Sequence, residues 1–538
     1  MSTADRRVLA REATLSTALA AALAAVLLWT TPPGIDWAAH AYQTTFLIRH
    51  GFELWNNFWY AGRYSFVTYS LIYYPLAALL GIKVLALASV ATAALGFTLV
   101  VFRQWGPVSK LSSRTFAVLW VGIIGAAAFP FALAISFALL SIWALQEGRR
   151  GRFAVGAVLT LAASPLAFVL LAVVGAGALL SRRSLRDVGA PVAAVVAAGA
   201  FELLLYRLFG DGGRFPFHVQ QFLAGLLFCG VGLAITWGVP AARPLRGFFW
   251  IYLVVLVGAY VVPSGLGSNI DRIRYIALPI ALIAAGLRRW RPLWLVVPAV
   301  VLAAVWNTTP IAATFARATS DPESVRSYWQ PAIGFLHAHL SPSYRVEVVD
   351  TAEHWPAAYL PDAGIPIVRG WYRQSDFPQN ELLYDQKLAV APYEAWLRRM
   401  AVRYVVLTDA PTDYSSRAEA ALVRSGRTHL VPVFESRHMT IYELPEATPI
   451  VTGPTQSSVL WLWPSRLVLE VGGPGTYLVR VRWSPYWRAS TGCVSQTKRG
   501  LVALAVPHGG LVELAFDLSI GRGLQTLTGS TPQRRCAD

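Results

Sequence analysis

Asp36 stands just past an apolar run, in Thr31-Pro-Pro-Gly-Ile-Asp36-Trp37-Ala-Ala-His40. The run from about Ala13 to Thr31 is long enough to cross a hydrocarbon core of about 30 Å. Arg6, Arg7 and Arg11 precede it, so the positive-inside rule keeps that end cytoplasmic and puts Asp36 at the outer interface. A carboxylate beside a span is costly unless it has chemistry to do or a cation to pair with. His40 follows four residues on, so a helical backbone would set both on one face. The same outer loop, residues 32–81, continues through Glu53, Trp55, Asn57 and Arg63 in Gly51-Phe-Glu-Leu-Trp-Asn-Asn-Phe-Trp-Tyr-Ala-Gly-Arg63-Tyr64. These types could bind a polar ligand; the plainer reading is an aromatic belt with ordinary interfacial polar groups. Amphipathic helices lying along the interface are expected there.

Two further outer loops carry polar residues. One is Asp211-Gly-Gly-Arg214-Phe-Pro-Phe-His218; the other runs Pro263–Tyr275 and holds Asn269, Asp271, Arg272 and Arg274. Arginines at the outer start of a span run against the positive-inside trend, and paired guanidinium donors suit a phosphate. An internal Asp271–arginine salt bridge is the competing use, and both can hold if one arginine is oriented while the other faces a ligand.

The elements that must position these residues are mostly spans. Hydrophobic residues make up 55% of the 538 and charged residues only 14%, which marks a polytopic membrane protein. Residues 1–309 carry 24 Lys+Arg against 9 Asp+Glu, whereas 310–538 carry 22 against 20, so the net +17 belongs to the first part. There it is clustered between apolar runs (Arg103/Lys110/Arg114, Arg149/Arg150/Arg152, Arg182/Arg183/Arg186, Arg243/Arg246, Arg288/Arg289/Arg291), as cytoplasmic loops require. A nucleic-acid surface would need those charges on one folded face, so no nucleic-acid partner is expected. Threading spans between the clusters gives about eleven crossings, near 13–31, 82–102, 115–129, 131–147, 153–163, 166–180, 188–209, 218–240, 247–263, 273–287 and 292–309. Prolines at Phe129-Pro130 and Ser164-Pro165 break two of the hairpins, since proline has no N–H for the helical ladder. The parity leaves the N-terminus cytoplasmic and the C-terminal region outside.

After Asn307 the hydropathy falls. Residues 310–447 mix strands (Tyr344–Asp350, Arg403–Thr408) with a helical stretch (Pro392–Met400) and read as an α/β subdomain. Residues 448–538 are all-β, with runs Val459–Trp463, Leu467–Val471, Thr476–Trp483, Leu501–Val506 and Leu511–Phe516 between Gly, Pro and Ser turns, as in a β-sandwich. Residues 1–309 form the transmembrane domain. Of three cysteines, Cys229 lies in a span, while Cys493 and Cys536 lie in the sandwich, on the side where disulfides persist, and are expected to pair. No CxxC or HExxH spacing appears, so no metal-ligand set is assigned. Trp483, Tyr486 and Trp487 could stack a sugar or form sandwich core, and core is the commoner use. Arg369, Trp371, Arg373 and Asp376 could reach the membrane site or form a buried ion-pair network.

Taken together, GIDWAAH (34–40), LWNNFWYAGR (54–63), GSNIDRIRYIALP (267–279), RGWYRQSD (369–376), YEAWLRRMAVRYVVLTD (393–409) and SPYWRA (484–489) resemble GT-C type membrane glycosyltransferases. Within that group the chain is most similar to bacterial membrane proteins labelled "6-pyruvoyl-tetrahydropterin synthase-related", and more distantly to YfhO-like proteins. The pterin label does not carry over as an activity, because it needs a zinc-binding histidine cluster in a compact soluble fold. The resemblance implies a bacterial plasma-membrane enzyme that moves a sugar from a polyprenyl-phosphate donor to a cell-envelope glycan or glycolipid acceptor, with inversion. A carrier phosphate leaves already ionised, so one carboxylate to deprotonate the attacking hydroxyl suffices. Asp36 is that base; Arg272, Arg274 and Arg63 are the phosphate candidates; His40, Glu53, Trp55, Asn57, Asp211, His218 and Asn269 are the substrate candidates. The loop lacks the paired acids of many GT-C enzymes, so use of a divalent cation is left open.

A non-catalytic lipid-linked glycan transporter or envelope-assembly scaffold is the alternative. Transporters commonly show internal repeats with matching broken helices, and the two proline-broken hairpins are adjacent and dissimilar. If the enzyme reading holds, Asp36, Arg63, Asp211, His218, Asn269 and Arg272 should converge on one sheltered cavity under the soluble region, with an apolar groove for the lipid tail.

Overall fold

The computed structural model describes residues 3–180, 189–210, 213–317, 322–377, 379–385 and 387–528. The chain divides into two compact units. The first comprises Met1–Trp37, Tyr69–Leu204 and Arg214–Ser320; the second comprises Ala38–Thr68, Leu205–Gly213 and Asp321–Asp538.

The first unit is helical. Helices stand at each of the expected span positions, among them Thr3–Thr30, Ile82–Trp105, Phe129–Gln146, Gly189–Phe209, Val219–Thr236 and Arg243–Val261. Six helical runs among the described residues are long and apolar enough to cross a membrane, and Pro165–Leu180 and Leu293–Thr309 are shorter apolar helices. Small residues let these helices approach closely, as in membrane bundles generally. A Cβ on Gly177 would lie 2.4 Å from the Phe248 nitrogen, and one on Gly96 would lie 2.8 Å from the Leu139 Cβ. The prolines act as expected. The helix Ile123–Ala126 ends on Ala127 in the left-handed region (φ 52°), and Pro130 sits in the first turn of Phe129–Gln146. Pro165 opens Pro165–Leu180.

The second unit has a mixed sheet and a sandwich. In the mixed sheet Arg345–Val348 runs parallel to Val402–Thr408, which pairs antiparallel with Met439–Glu443, itself paired with Val431–Glu435. Helices Arg326–His339, Val390–Arg399 and Arg417–Arg424 accompany it. The sandwich has two four-stranded antiparallel sheets. One orders Cys493–Gln496, Leu501–Val506, Gly475–Arg482 and Val451–Thr452; the other orders Trp487–Ala489, Gly510–Phe516, Arg466–Val471 and Ser457–Leu462. Alternation along the strands buries Leu467, Leu469, Val471 on one side and Tyr477, Val479, Val481 on the other, as the period-2 pattern demands. Trp55, Tyr64 and Phe209 join that core from the early parts of the chain.

The outer loop differs from the helical expectation. Trp37–His50 and Tyr73–Leu80 are helices, but between them the backbone is irregular around a two-residue antiparallel pairing, Trp55–Asn56 with Arg63–Tyr64. Tyr60, Ala61, Gly62 and Phe66 take positive φ there, which no regular helix accommodates.

Candidate active site

Asp36 immediately precedes the helix Trp37–His50 and is 8% exposed. Its backbone N–H donates to the Ala126 carbonyl at 3.2 Å. Gly34 is why the approach is so close: a Cβ there would lie 2.4 Å from the Gly125 oxygen and 2.8 Å from the Ile124 oxygen. One residue on, the Trp37 ring meets Phe129 edge-on at 5.2 Å. Residues 34–37 are thus fastened to the turn formed by 124–129.

Arg272 approaches the helix that follows this turn, Phe129–Gln146, from another part of the chain. It lies in the 3-10 segment Gly267–Ile276, with its guanidinium carbon 5.5 Å from the Phe131 ring centre. Among the described residues it makes no ion pair. Arg274 has the internal use anticipated for one arginine: its Nη2 lies 2.5 Å from Asp271 Oδ2. Tyr252 donates to the other carboxylate oxygen at 3.3 Å. The Arg274 Nε is buried with no hydrogen-bond partner among the described residues. Asn307 fixes the backbone of this segment, donating to the Arg274 carbonyl at 2.9 Å while its Oδ1 accepts from the Leu278 N–H at 2.7 Å. The Arg274 guanidinium carbon also lies 5.9 Å from the Trp306 ring centre. Trp306, with Phe228, Ile235, Phe249, Ile280 and Ala299, lines a small apolar cavity between the helices.

His218 and Asn269 fall in loops that meet. The Phe215 N–H donates to the Ser264 carbonyl and the Ser268 N–H to the Pro216 carbonyl, at 2.9 and 3.3 Å. His218 caps the helix Val219–Thr236. Asp36, His218, Asn269, Arg272 and Arg274 all belong to the first unit. His40, Glu53, Trp55, Asn57 and Arg63 belong to the second. Asp211, Cys536 and the cluster Arg182/Arg183/Arg186 lie outside the described residues.

In the second unit several candidates are committed to packing. Trp55 is 1% exposed, stacked on Phe516 at 5.3 Å and edge-on to Trp487 at 5.4 Å. Its indole N–H donates to Asn57 Oδ1 at 2.8 Å. Asn57 donates to the Trp463 carbonyl at 3.0 Å through Nδ2, and its backbone N–H donates to the Pro464 carbonyl at 2.9 Å. Neither residue retains a free face for a substrate. Arg63 is 5% exposed, donates to Thr68 Oγ1 at 3.1 Å and stacks 4.0 Å over the Tyr372 ring. His40 is fully buried, and Glu53 is half-buried.

Of the aromatic residues near the chain's end, Tyr486 and Trp487 are core, as the commoner use predicts. The exposed tryptophan of the sandwich is instead Trp461, half open to solvent. Arg369 binds Asp376 twice, at 3.3 and 2.8 Å, and donates to the Ser415 and Ser416 hydroxyls. Arg373 pairs with Asp413 at 2.6 Å. This is the buried ion-pair network. Among the described residues no group of three His, Cys, Asp or Glu could hold a metal ion.

No family model matches the chain, and no curated protein matches it. Among solved structures it resembles the arabinofuranosyltransferase AftD from mycobacteria, with 16% identity and a TM-score of 0.43 over 96% of this chain. It spans about 40% of the length of that protein. It also resembles the archaeal oligosaccharyltransferase AglB from Archaeoglobus fulgidus in complex with an inhibitory peptide and a dolichol-phosphate. That likeness has 12% identity and a TM-score of 0.37, covering 76% of this chain and 70% of that one. An acceptor-peptide-tethered oligosaccharyltransferase from the same organism gives 11% and 0.42, over 86% and 80%.

Sequence reasoning did not identify Tyr252, Asn307 and residues 126–131 as neighbours of the candidate residues. Asn307 carried a signal, an amide inside an apolar run, where an unpartnered polar group is costly. Phe129 and Phe131 carried none, because a phenylalanine in a span reads as lipid-facing or core alike.

Proposed function

We propose that the protein is a multi-pass membrane glycosyltransferase. It transfers a sugar from a polyprenyl-phosphate donor to a cell-envelope glycan or glycolipid acceptor, with Asp36 as general base. The observation that carries this is that Asp36 and Arg272, more than two hundred residues apart in sequence, both approach one short stretch: the Asp36 N–H bonds the Ala126 carbonyl, and the Arg272 guanidinium carbon lies 5.5 Å from the Phe131 ring.

The chemistry needs little more. Asp36 takes the proton of the acceptor hydroxyl as its oxygen bonds to the anomeric carbon. The bond from that carbon to the phosphate oxygen breaks, and the electron pair leaves with the phosphate. Attack opposite the leaving group inverts the anomeric centre. Arg272 and Arg274 neutralise the departing anion, the kind of stabilisation that matters most where water is scarce. Arg274, held by Asp271, supports a division of labour in which one arginine is fixed in place while Arg272 faces the phosphate.

Asp36→Asn separates chemistry from structure, because asparagine caps a helix about as well as aspartate. The variant should fold and bind donor but lose transfer by a factor of roughly 10²–10⁴. The assay is sugar transfer by purified protein in nanodiscs, using a polyprenyl-phosphate sugar panel. Wild-type rates from Asp36→Asn, with any donor that the unmodified protein uses, would remove the base role. Arg272→Ala should lower kcat/KM about 10- to 100-fold, as expected for a lost charged hydrogen bond. Arg272→Lys should recover only part, since a point charge lacks the planar fork.

A further inference from the structure

We infer that the helix Ile520–Thr528 lies in the lipid interface, with its apolar face set into the boundary between headgroups and acyl chains. Ile520, Leu524 and Leu527 recur at the spacing of one helical face. They are 87%, 59% and 43% exposed. Monomeric surfaces tolerate single apolar residues, but a contiguous stripe on one short helix marks a contact.

Its orientation is fixed from the opposite side. Arg522 is 5% exposed, donates to the Asp517 carbonyl at 2.5 Å, and lies 3.3 Å from the Asp517 carboxylate. That clamp turns Arg522 inward and the three apolar residues outward.

The occupant follows from what the helix sits beside. Gly523 packs near Leu208, where a Cβ would lie 3.8 Å from Leu208 Cδ2. The Tyr486 hydroxyl donates to the Leu208 carbonyl at 3.1 Å, and Phe209 joins the sandwich core. Leu208 and Phe209 are the last residues of Gly189–Phe209, an apolar helix of membrane-crossing length. That helix exposes Phe201, Leu203 and Tyr206 by about half or more, as a lipid-facing span does. Tyrosine near such an end marks the headgroup level. A helix packed beside Leu208, in the last turn of that apolar helix, lies where the bilayer ends, so its outward apolar stripe meets the headgroup boundary. The polar face, with Gln525 and Thr526, suits an interfacial rather than a spanning helix. The inference rests on the span, and holds whether or not the protein transfers sugars.

The test places a bimane label at Leu524→Cys, and separately at Ile520→Cys, in the full chain with Cys229→Ala, reconstituted in nanodiscs. The parent without the added cysteine gives the background. Glu470→Cys, exposed on the sandwich, is the aqueous control. Lipids brominated near the headgroup end of the acyl chains should quench the Leu524 and Ile520 labels at least two-fold more than the Glu470 label, while iodide should quench them several-fold less. Iodide quenching equal to that at Glu470 would overturn the inference in favour of a solvated face. Protection from both quenchers would overturn it in favour of a protein cover.

Discussion

Glu347 and Glu419 are fully buried, and neither oxygen of Glu347 has a hydrogen-bond donor among the described residues. Burial raises the pKa of both, Glu419 to about 7 and Glu347 well above the carboxylate range, where the neighbouring Glu419 adds to the effect. Arg369 opposes the shift, but it lies 3.9 Å from Glu419 and its closer bonds go to Asp376. A carboxyl whose folded pKa is raised binds a proton that the unfolded chain releases near 4.5. Stability is therefore greatest below that value and falls as pH rises through about 7, by about 1.4 kcal/mol per pH unit for each proton. His354 adds in the same direction: burial opposes its charge, but Asp350 at 2.8 Å raises its pKa overall, so that contribution also fades with rising pH. Thermal unfolding followed from pH 5.5 to 8 should show a falling midpoint, and Glu419→Gln should flatten the slope. A midpoint that rises over that range would refute the assignment. This pair is illegible in the sequence. Glu347 sits in a strand whose alternation suggests a solvated side, and only the fold shows that all of Arg345–Val348 is buried. Asp36 and Arg272 could be singled out as candidates for the opposite reason, since a charge next to an apolar run stands out wherever the chain goes. The packing of Trp55 and Asn57 was not legible, because a sandwich core, an aromatic belt and a sugar platform use the same residue types.

Elements were legible where one residue dictates the backbone. Proline ends the helical ladder at 130 and 165, and strands such as Leu501–Val506 show in the alternation of branched residues. The irregular stretch between His50 and Tyr73 was not, because its five positive-φ residues include Tyr60, Ala61 and Phe66, none of which signals a turn. The hairpin Val431–Glu435 with Met439–Glu443 was also missed, its strands being short and weakly alternating. At this scale the close approach of residues 34–36 to the end of Ile123–Ala126 is the part most sensitive to a small change. Gly34→Ala would set a Cβ 2.4 Å from a backbone oxygen, which rotamer changes cannot relieve. The segment must move, at a cost of about 1–3 kcal/mol. On the proposed mechanism, transfer should drop at least 10-fold while donor binding near Arg272 changes little. Equal activity of Gly34→Ala and the parent in the nanodisc assay would show that the placement of Asp36 does not matter.

At the level of the whole molecule, the second unit is assembled from three separated parts of the chain. Composition changes once, near Asn307, and so suggests a soluble half that is continuous in sequence. Packing does not follow that boundary. Trp55 and Tyr64 come from the first outer loop and Phe209 from the end of an apolar helix, yet all three sit in one core with Tyr486, Trp487 and Phe516. Arg482 adds a polar tie, donating to the Tyr60 carbonyl at 2.6 Å, and its N–H donates to the Ala61 carbonyl at 2.9 Å. Losing one large buried aromatic costs about 3–5 kcal/mol, and a domain's whole stability is about 5–15 kcal/mol. Residues 322–538 expressed alone lack all three aromatics and should not fold cooperatively. The fragment should bind a hydrophobic dye, show weak near-ultraviolet circular dichroism, and melt without a sharp transition. A single cooperative transition with a native-like aromatic spectrum would mean that the sandwich closes without its borrowed side chains, and that the early segments only rest on a finished core.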